Sequence, residues 1–295
     1  MVKYEYILME VRAVIWLDKY NNKYARFLKQ FIARVREDNV TAIGAQLSYY
    51  LILSIFPFMI FLLNILSYTP IAREDVLHSI IVLMPTDTQR IVSNLMVETI
   101  NKSSETLLSL GAITGIWAAS KGIMSLIRVL NKAYDVDESR TYFQLRALAI
   151  LFTLALLALL TIVLLTLVFG EVLGNRLFEF LGITQKFIVF WRFLRVVISL
   201  SFMVFIFALL YRYSPSIGNG SKIQYKHAMP GAVFTSLGWI ITSTLFSYYV
   251  NNFASYGKTY GSLGGVIVLL IWLYMSSIII IMGGEINATL KYMKE

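Results

Sequence analysis

Apolar residues gather into six long blocks along this chain, at Ala42–Ser67, Leu107–Leu130, Ala147–Gly170, Val196–Tyr211, Ala228–Val250 and Gly261–Gly284. Only the second block holds charged residues. Runs such as Ile278–Ile281 and Leu156–Leu160 do not alternate with polar positions, so the short alternating strands of a transmembrane barrel do not fit. In lipid each segment must satisfy its own backbone, and about 20 helical residues at ~1.5 Å each cross a ~30 Å hydrocarbon core. The pattern therefore predicts an all-α, polytopic membrane protein. Its six-helix bundle has spans near residues 42–67, 107–130, 147–170, 194–212, 228–250 and 261–286, and an N-terminal segment, 1–41, precedes them.

In that segment Tyr24, Phe27, Leu28, Phe31, Ile32 and Val35 recur at helical spacing, with Lys23, Arg26, Lys29, Arg34 and Arg36 around them. This predicts a cytoplasmic amphipathic helix, either lying in the headgroup boundary or packed under the bundle. In the first span Pro57 should kink the helix, and Gln46 and Tyr49, three residues apart, share a polar face. In the second span Thr114, Lys121, Ser125 and Arg128 follow one stripe. Ending that span at Ser120 leaves 14 residues from Leu107, about 21 Å, too short for the core. Lys121 is thus expected some 9 Å inside the inner boundary, where a cation either snorkels or faces a partner. Gly111 and Gly115 form a GxxxG, and Gly261 and Gly264 open the last span, as candidate helix-packing glycines.

Composition sharpens the reading. Hydrophobic residues make up 58% of the chain and the mean hydropathy is +0.69. Of 26 Lys and Arg, the six-span layout puts 18 on the side of both termini, which the positive-inside rule makes the cytoplasm. The net charge of +9 then marks orientation and attraction to anionic membrane lipid at the cytoplasmic face, with no nucleic acid as partner. There is no cysteine, and the two histidines, His78 and His227, fall on opposite sides of the membrane. No metal or other cofactor is expected.

Four stretches carry a resemblance: SYYLILSIFPFMIFLL, WAASKGIMSLIRVLNKAY, YRYSP followed by MPGAVFTSLGW, and YGSLGGVIVLLIWLYMSSIIIIMGGEINATL. Over residues 25–292 the chain resembles the YihY/BrkB-like family of bacterial inner-membrane proteins. The resemblance implies six helices and an inner-membrane location. The family has carried a ribonuclease BN label, and some members an association with virulence or serum resistance. Lys121, Arg128, Tyr260, Gly261 and Glu285 are the matching polar and small residues, and the resemblance assigns them no chemical role.

A metal-dependent nuclease needs converging carboxylates or histidines, and none are apparent, so the expectation is a protein that is not an enzyme. Glu285, near the inner end of the last span, is expected to pair with Lys121 or Arg128 and, with Gln46 and Tyr49, to line a polar intramembrane cavity. That arrangement would suit a transporter or lipid-handling protein of the cell envelope, with an anionic or amphipathic substrate. The alternative is a membrane scaffold or assembly factor that holds partners through its small-residue faces, and a homo-oligomer is left open.

Overall fold

The computed structural model describes residues 23–68, 105–164, 185–217, 223–252 and 263–293. The regular elements among them are seven helices: α1 Lys23–Glu37, α2 Val40–Tyr68, α3 Glu105–Ala133, α4 Tyr142–Leu164, α5 Gln185–Tyr213, α6 Tyr225–Asn252 and α7 Gly264–Tyr292. Helices α3 to α7 are each long and apolar enough to cross a membrane. In α2 the described apolar stretch is Val40–Ile55, within a helix of 29 residues. The protein is a membrane protein whose described residues form helices and no strand. Tyr260, Gly261 and His78 lie outside the described residues.

Local chemistry sets the breaks between helices. Asn39 takes a left-handed backbone (φ 50°) between α1 and α2, a conformation that asparagine tolerates better than most residues. At the end of α3, Asp135 sits at φ 48°; its N–H bonds Lys132 O at 3.0 Å and Val136 N–H bonds Asn131 O at 3.0 Å. This pair of bonds is a Schellman stop, with aspartate where glycine is usual.

The long helices pack in a closed ring, α2 on α3, α3 on α4, and so on round to α7 on α2, with α3 also touching α7 across it. The ring closes because two helices carry small-residue faces. Buried Ala228, Gly231, Ala232, Thr235 and Ser236 recur at helical spacing on α6. They meet Gly283 and Asn287 of α7, and a Cβ at Gly283 would overlap Thr235 Oγ1. Without a hydrophobic drive between helices in lipid, close backbone approach of this kind supplies the contact energy. Side chains such as Ile113, Leu151, Phe193, Phe205 and Leu245 stay exposed on the outside of the ring, where lipid would cover them.

Two cations that the apolar blocks leave outside are inside helices. Arg146 lies in the second turn of α4 and Arg195 in α5, both about 5% exposed. Helix α1 packs on the end of α7; Phe27 and Phe31 stack 6.0 Å apart, while Tyr24 and Leu28 remain exposed.

Candidate functional site

At the centre of the ring is a cavity of about 260 Å³ to which all six long helices contribute. Leu51 and Ser54 come from α2, Ala119 and Ile123 from α3, Thr153 and Leu156 from α4, Met203 and Phe207 from α5, Trp239 from α6, and Trp272 and Ile280 from α7. The hydroxyls among them turn back on their own helices: Ser54 donates to Leu51 O at 2.6 Å and Thr153 to Ala149 O at 2.8 Å. The two indoles meet edge to face at 5.6 Å, and each finds a serine on the opposite helix. Trp239 Nε1 donates to Ser276 Oγ and Trp272 Nε1 to Ser243 Oγ, both at 3.1 Å. The lining of this cavity is therefore apolar in effect, where a polar one was expected.

Beyond the cavity lies a polar knot at the end of the ring where α1 docks. Glu285 is fully buried, and neither carboxylate oxygen has a hydrogen-bond partner. The charged groups acting on it are Asp38, first, and then Arg34 and Lys132. Lys132 Nζ is 3.1 Å from Asp38 Oδ1 and donates to Glu37 O at 2.8 Å. Arg34 donates to Ala133 O at 2.5 Å, one of the end carbonyls that α3 cannot use internally, and lies 4.1 Å above the Tyr292 ring. Tyr292 Oη donates to Asp135 Oδ2 at 2.6 Å. Burial first, and then the charge of Glu285, push the Tyr134 phenol above its ordinary range.

A second polar clasp joins the α3–α4 loop to the end of α5. Asn131 accepts from Ser216 N at 2.7 Å and donates to Glu138 at 2.8 Å; Arg140 binds Glu138 at 2.7 Å and Ser214 O at 2.6 Å. Part-burial of Glu138 disfavours its charge, but the bonds from Arg140 and Asn131 outweigh it and hold the carboxyl below the usual glutamate range.

The expected pairing of Glu285 with Lys121 or Arg128 is not found. Both cations are exposed, and Lys121 has no hydrogen bond or ion pair among the described residues. The stripe itself exists, since Lys132 lies on it eleven residues beyond Lys121, but Glu285 meets it three turns further along. Eleven residues are about 16 Å of helix. Arg128 instead lines an open recess of about 330 Å³ with Asn131, Lys132, Asp135 and Glu138. Gln46 holds α2 to α3, accepting from Ser125 Oγ at 2.9 Å, and Tyr49 is exposed beside Tyr50. Gly111, Gly115 and Gly264 are buried. Close approaches are described at other glycines: Gly231 against Gly283 and Asn287, Gly283 against Thr235, and Gly284 against Leu130 are the tightest of these.

The model of the family described as virulence factor BrkB matches residues 31–295. The chain belongs to the BrkB family. Among its relatives is a ribonuclease-like protein, YfkH, of Bacillus subtilis strain 168, 40% identical over 269 residues and covering 91% of this chain and 96% of that one. A UPF0761 membrane protein of Alteromonas mediterranea is 26% identical over 266 residues, 88% of this chain and 86% of its own length. Another, from Aliivibrio salmonicida, is 29% identical over 280 residues, covering 90% and 83%. No solved structure matches the chain. This is a multi-pass membrane protein of a bacterial family.

In this BrkB-family chain the residue that sequence reasoning passed over is Asn287. Its Oδ1 accepts from Gly231 N at 2.7 Å and its Nδ2 donates to Ala228 O at 3.0 Å, either side of Pro230, which has no N–H to give. Tyr211 braces the same seam, donating to Ile280 O at 2.6 Å and bonding Thr235 Oγ1 at 2.7 Å. An Asn beside a buried Glu near the end of an apolar run, facing Pro-Gly in the preceding run, was the available signal.

Proposed function

We propose that this protein handles lipids or similar amphiphiles in the bacterial inner membrane, with both termini in the cytoplasm, and that the central cavity takes an apolar chain. The observation that carries this is the cavity lining: six helices converge on about 260 Å³ of space whose hydroxyl and indole groups are already satisfied. Such a space suits methylene groups, since a polar or charged solute would lose its hydration there without compensation. Soluble anions are therefore the poorer substrate. The polar knot seals the cytoplasmic end, and its carboxylate Glu285 is closed to solvent, which supports reading the chain as non-enzymatic.

The test is photolabelling in vesicles with a phospholipid bearing a diazirine near its acyl terminus. Labels should appear on Ile123, Met203 or Leu273, and Ala119→Phe, which fills the cavity, should remove them while labels on lipid-facing Phe205 and Leu245 persist. Labelling confined to the lipid-facing side chains in both proteins would sink the proposal. A second reading, a scaffold that holds partners without moving anything, is favoured by the sealed cytoplasmic end. It would gain if the cavity stayed unlabelled and the protein were isolated in a stable complex.

A further inference from the structure

Arg146 is a buried cation without an anion among the described residues. It is about 5% exposed, and neither α4 nor α3 between Thr106 and Leu130 contains an acidic residue. Its guanidinium lies 3.7 Å above the Trp117 ring; Nη2 donates to Trp117 O at 3.0 Å and Nη1 to Met124 Sδ at 3.3 Å, a weak acceptor. Nε is buried with no partner. A guanidinium has five donors in a planar fork, and these contacts leave its charge uncompensated.

A second cation stands beside it. Trp117, Lys121 and Met124 follow one another on a single face of α3, at offsets of four and three. Lys121 therefore emerges between the two residues that Arg146 touches, exposed and without a partner among the described residues. Two like charges beside one half-exposed indole, with no acidic partner among the described residues, describe half of an ionic site. The neighbourhood says which half is missing. Tyr142 and Phe143, one turn before Arg146, are 55% and 81% exposed, and exposed aromatics are the residues that settle at headgroup level. Arg146, Thr153 and Leu157 lie on one stripe of α4, and the last two line the central cavity. A headgroup at Arg146 would thus have its chain running along α4 toward that cavity.

We propose that Arg146 and Lys121, on either side of Trp117, bind the phosphodiester of an anionic phospholipid at the α3–α4 seam. The guanidinium fork and Nε take the phosphate oxygens, the lysine adds a point charge from the exposed side, and the indole keeps the arginine oriented. The assignment rests on the reading above that a lipid is bound, and it names the headgroup chemistry of that lipid.

The experiment is native mass spectrometry of the whole protein, released from micelles after titration with phosphatidylglycerol or with phosphatidylcholine of the same acyl chains. The parent should bind the first phosphatidylglycerol about tenfold more tightly than the choline lipid. Lys121→Gln, a change at an exposed position, should cut that preference to about threefold, and Lys121→Gln with Arg146→Gln should abolish it. An unchanged preference in Lys121→Gln overturns the assignment whether or not the double variant folds. Displacement of the bound lipid by millimolar inorganic phosphate would make this a site for a soluble anion and would equally overturn it. The cavity is tested separately by Ala119→Phe. If that variant loses both lipids alike while Lys121→Gln changes nothing, the cavity reading stands and the headgroup site falls. If only the Lys121 and Arg146 variants matter, the headgroup site stands and the cavity reading falls.

Discussion

Replacing Asn287 with leucine, which is similar in size, asks what holds α6 and α7 together. Asn287 is fully buried, and its amide serves two backbone groups of the neighbouring helix, Gly231 N–H and Ala228 C=O, on either side of the proline that interrupts α6. Leucine removes both bonds and leaves both groups facing apolar atoms. A buried polar group stripped of its partner costs about 1–3 kcal/mol, so two such groups set a gross loss of about 2–6 kcal/mol. Relaxation of α6 around Pro230 should recover part of it, which puts the expected net loss at about 2–4 kcal/mol. Reversible unfolding in mixed micelles at rising dodecyl sulfate, followed through the fluorescence of Trp239 and Trp272 on these two helices, measures it. Amide exchange at Gly231 gives a local reading and should quicken in the variant. An unfolding free energy within about 0.5 kcal/mol of the parent, with Gly231 still protected, would refute the reasoning, because it would mean that the backbone at Pro230 closes on itself.

Gly283→Ala should destabilise the same seam by about 1–3 kcal/mol in that assay, since the new methyl would overlap Thr235 Oγ1 and crowd Tyr211 Oη and Gly231 O. Arg34→Ala should free α1 from the ends of α3 and α7, seen as faster proteolytic cleavage before Asp38 with the span helices still protected. The clasp around Glu138 should depend on pH with a defined sign. Its folded carboxyl titrates below the usual glutamate value, so its stabilising effect is present above that value and is lost as pH falls through the folded one. Exchange at Ser214 and Ser216 should therefore rise in acid in the parent, whereas Glu138→Gln should show it already raised at neutral pH and no longer pH-dependent. Ser276→Ala should cost about 0.6 kcal/mol, the usual worth of an interhelical bond in a membrane, read again by unfolding in micelles.

The residues alone determined that this chain is helical and lives in a membrane. Those properties depend on the length and hydropathy of local stretches, and each helix satisfies its own backbone whatever its neighbours do. The charged stripe of α3 was legible for the same reason, because a 3.6-residue period places Thr114, Lys121, Ser125 and Arg128 on one face without reference to any other helix. What could not be read was which turn of one helix stands level with which turn of another. The same stripe repeats every three or four residues, so periodicity specifies direction around a helix but not height along it. Glu285 consequently lies within the electrostatic reach of Asp38, Arg34 and Lys132 and is not paired with the lysine three turns away. Arg146, which precedes its apolar run in the sequence, proves to be stacked on Trp117, because α4 begins earlier than that run and lies alongside the middle of α3. Close packing made the final choices: the small faces of α6 and α7 set their axial offset, closed the ring, and left an apolar space at its centre that no single stretch of sequence encodes.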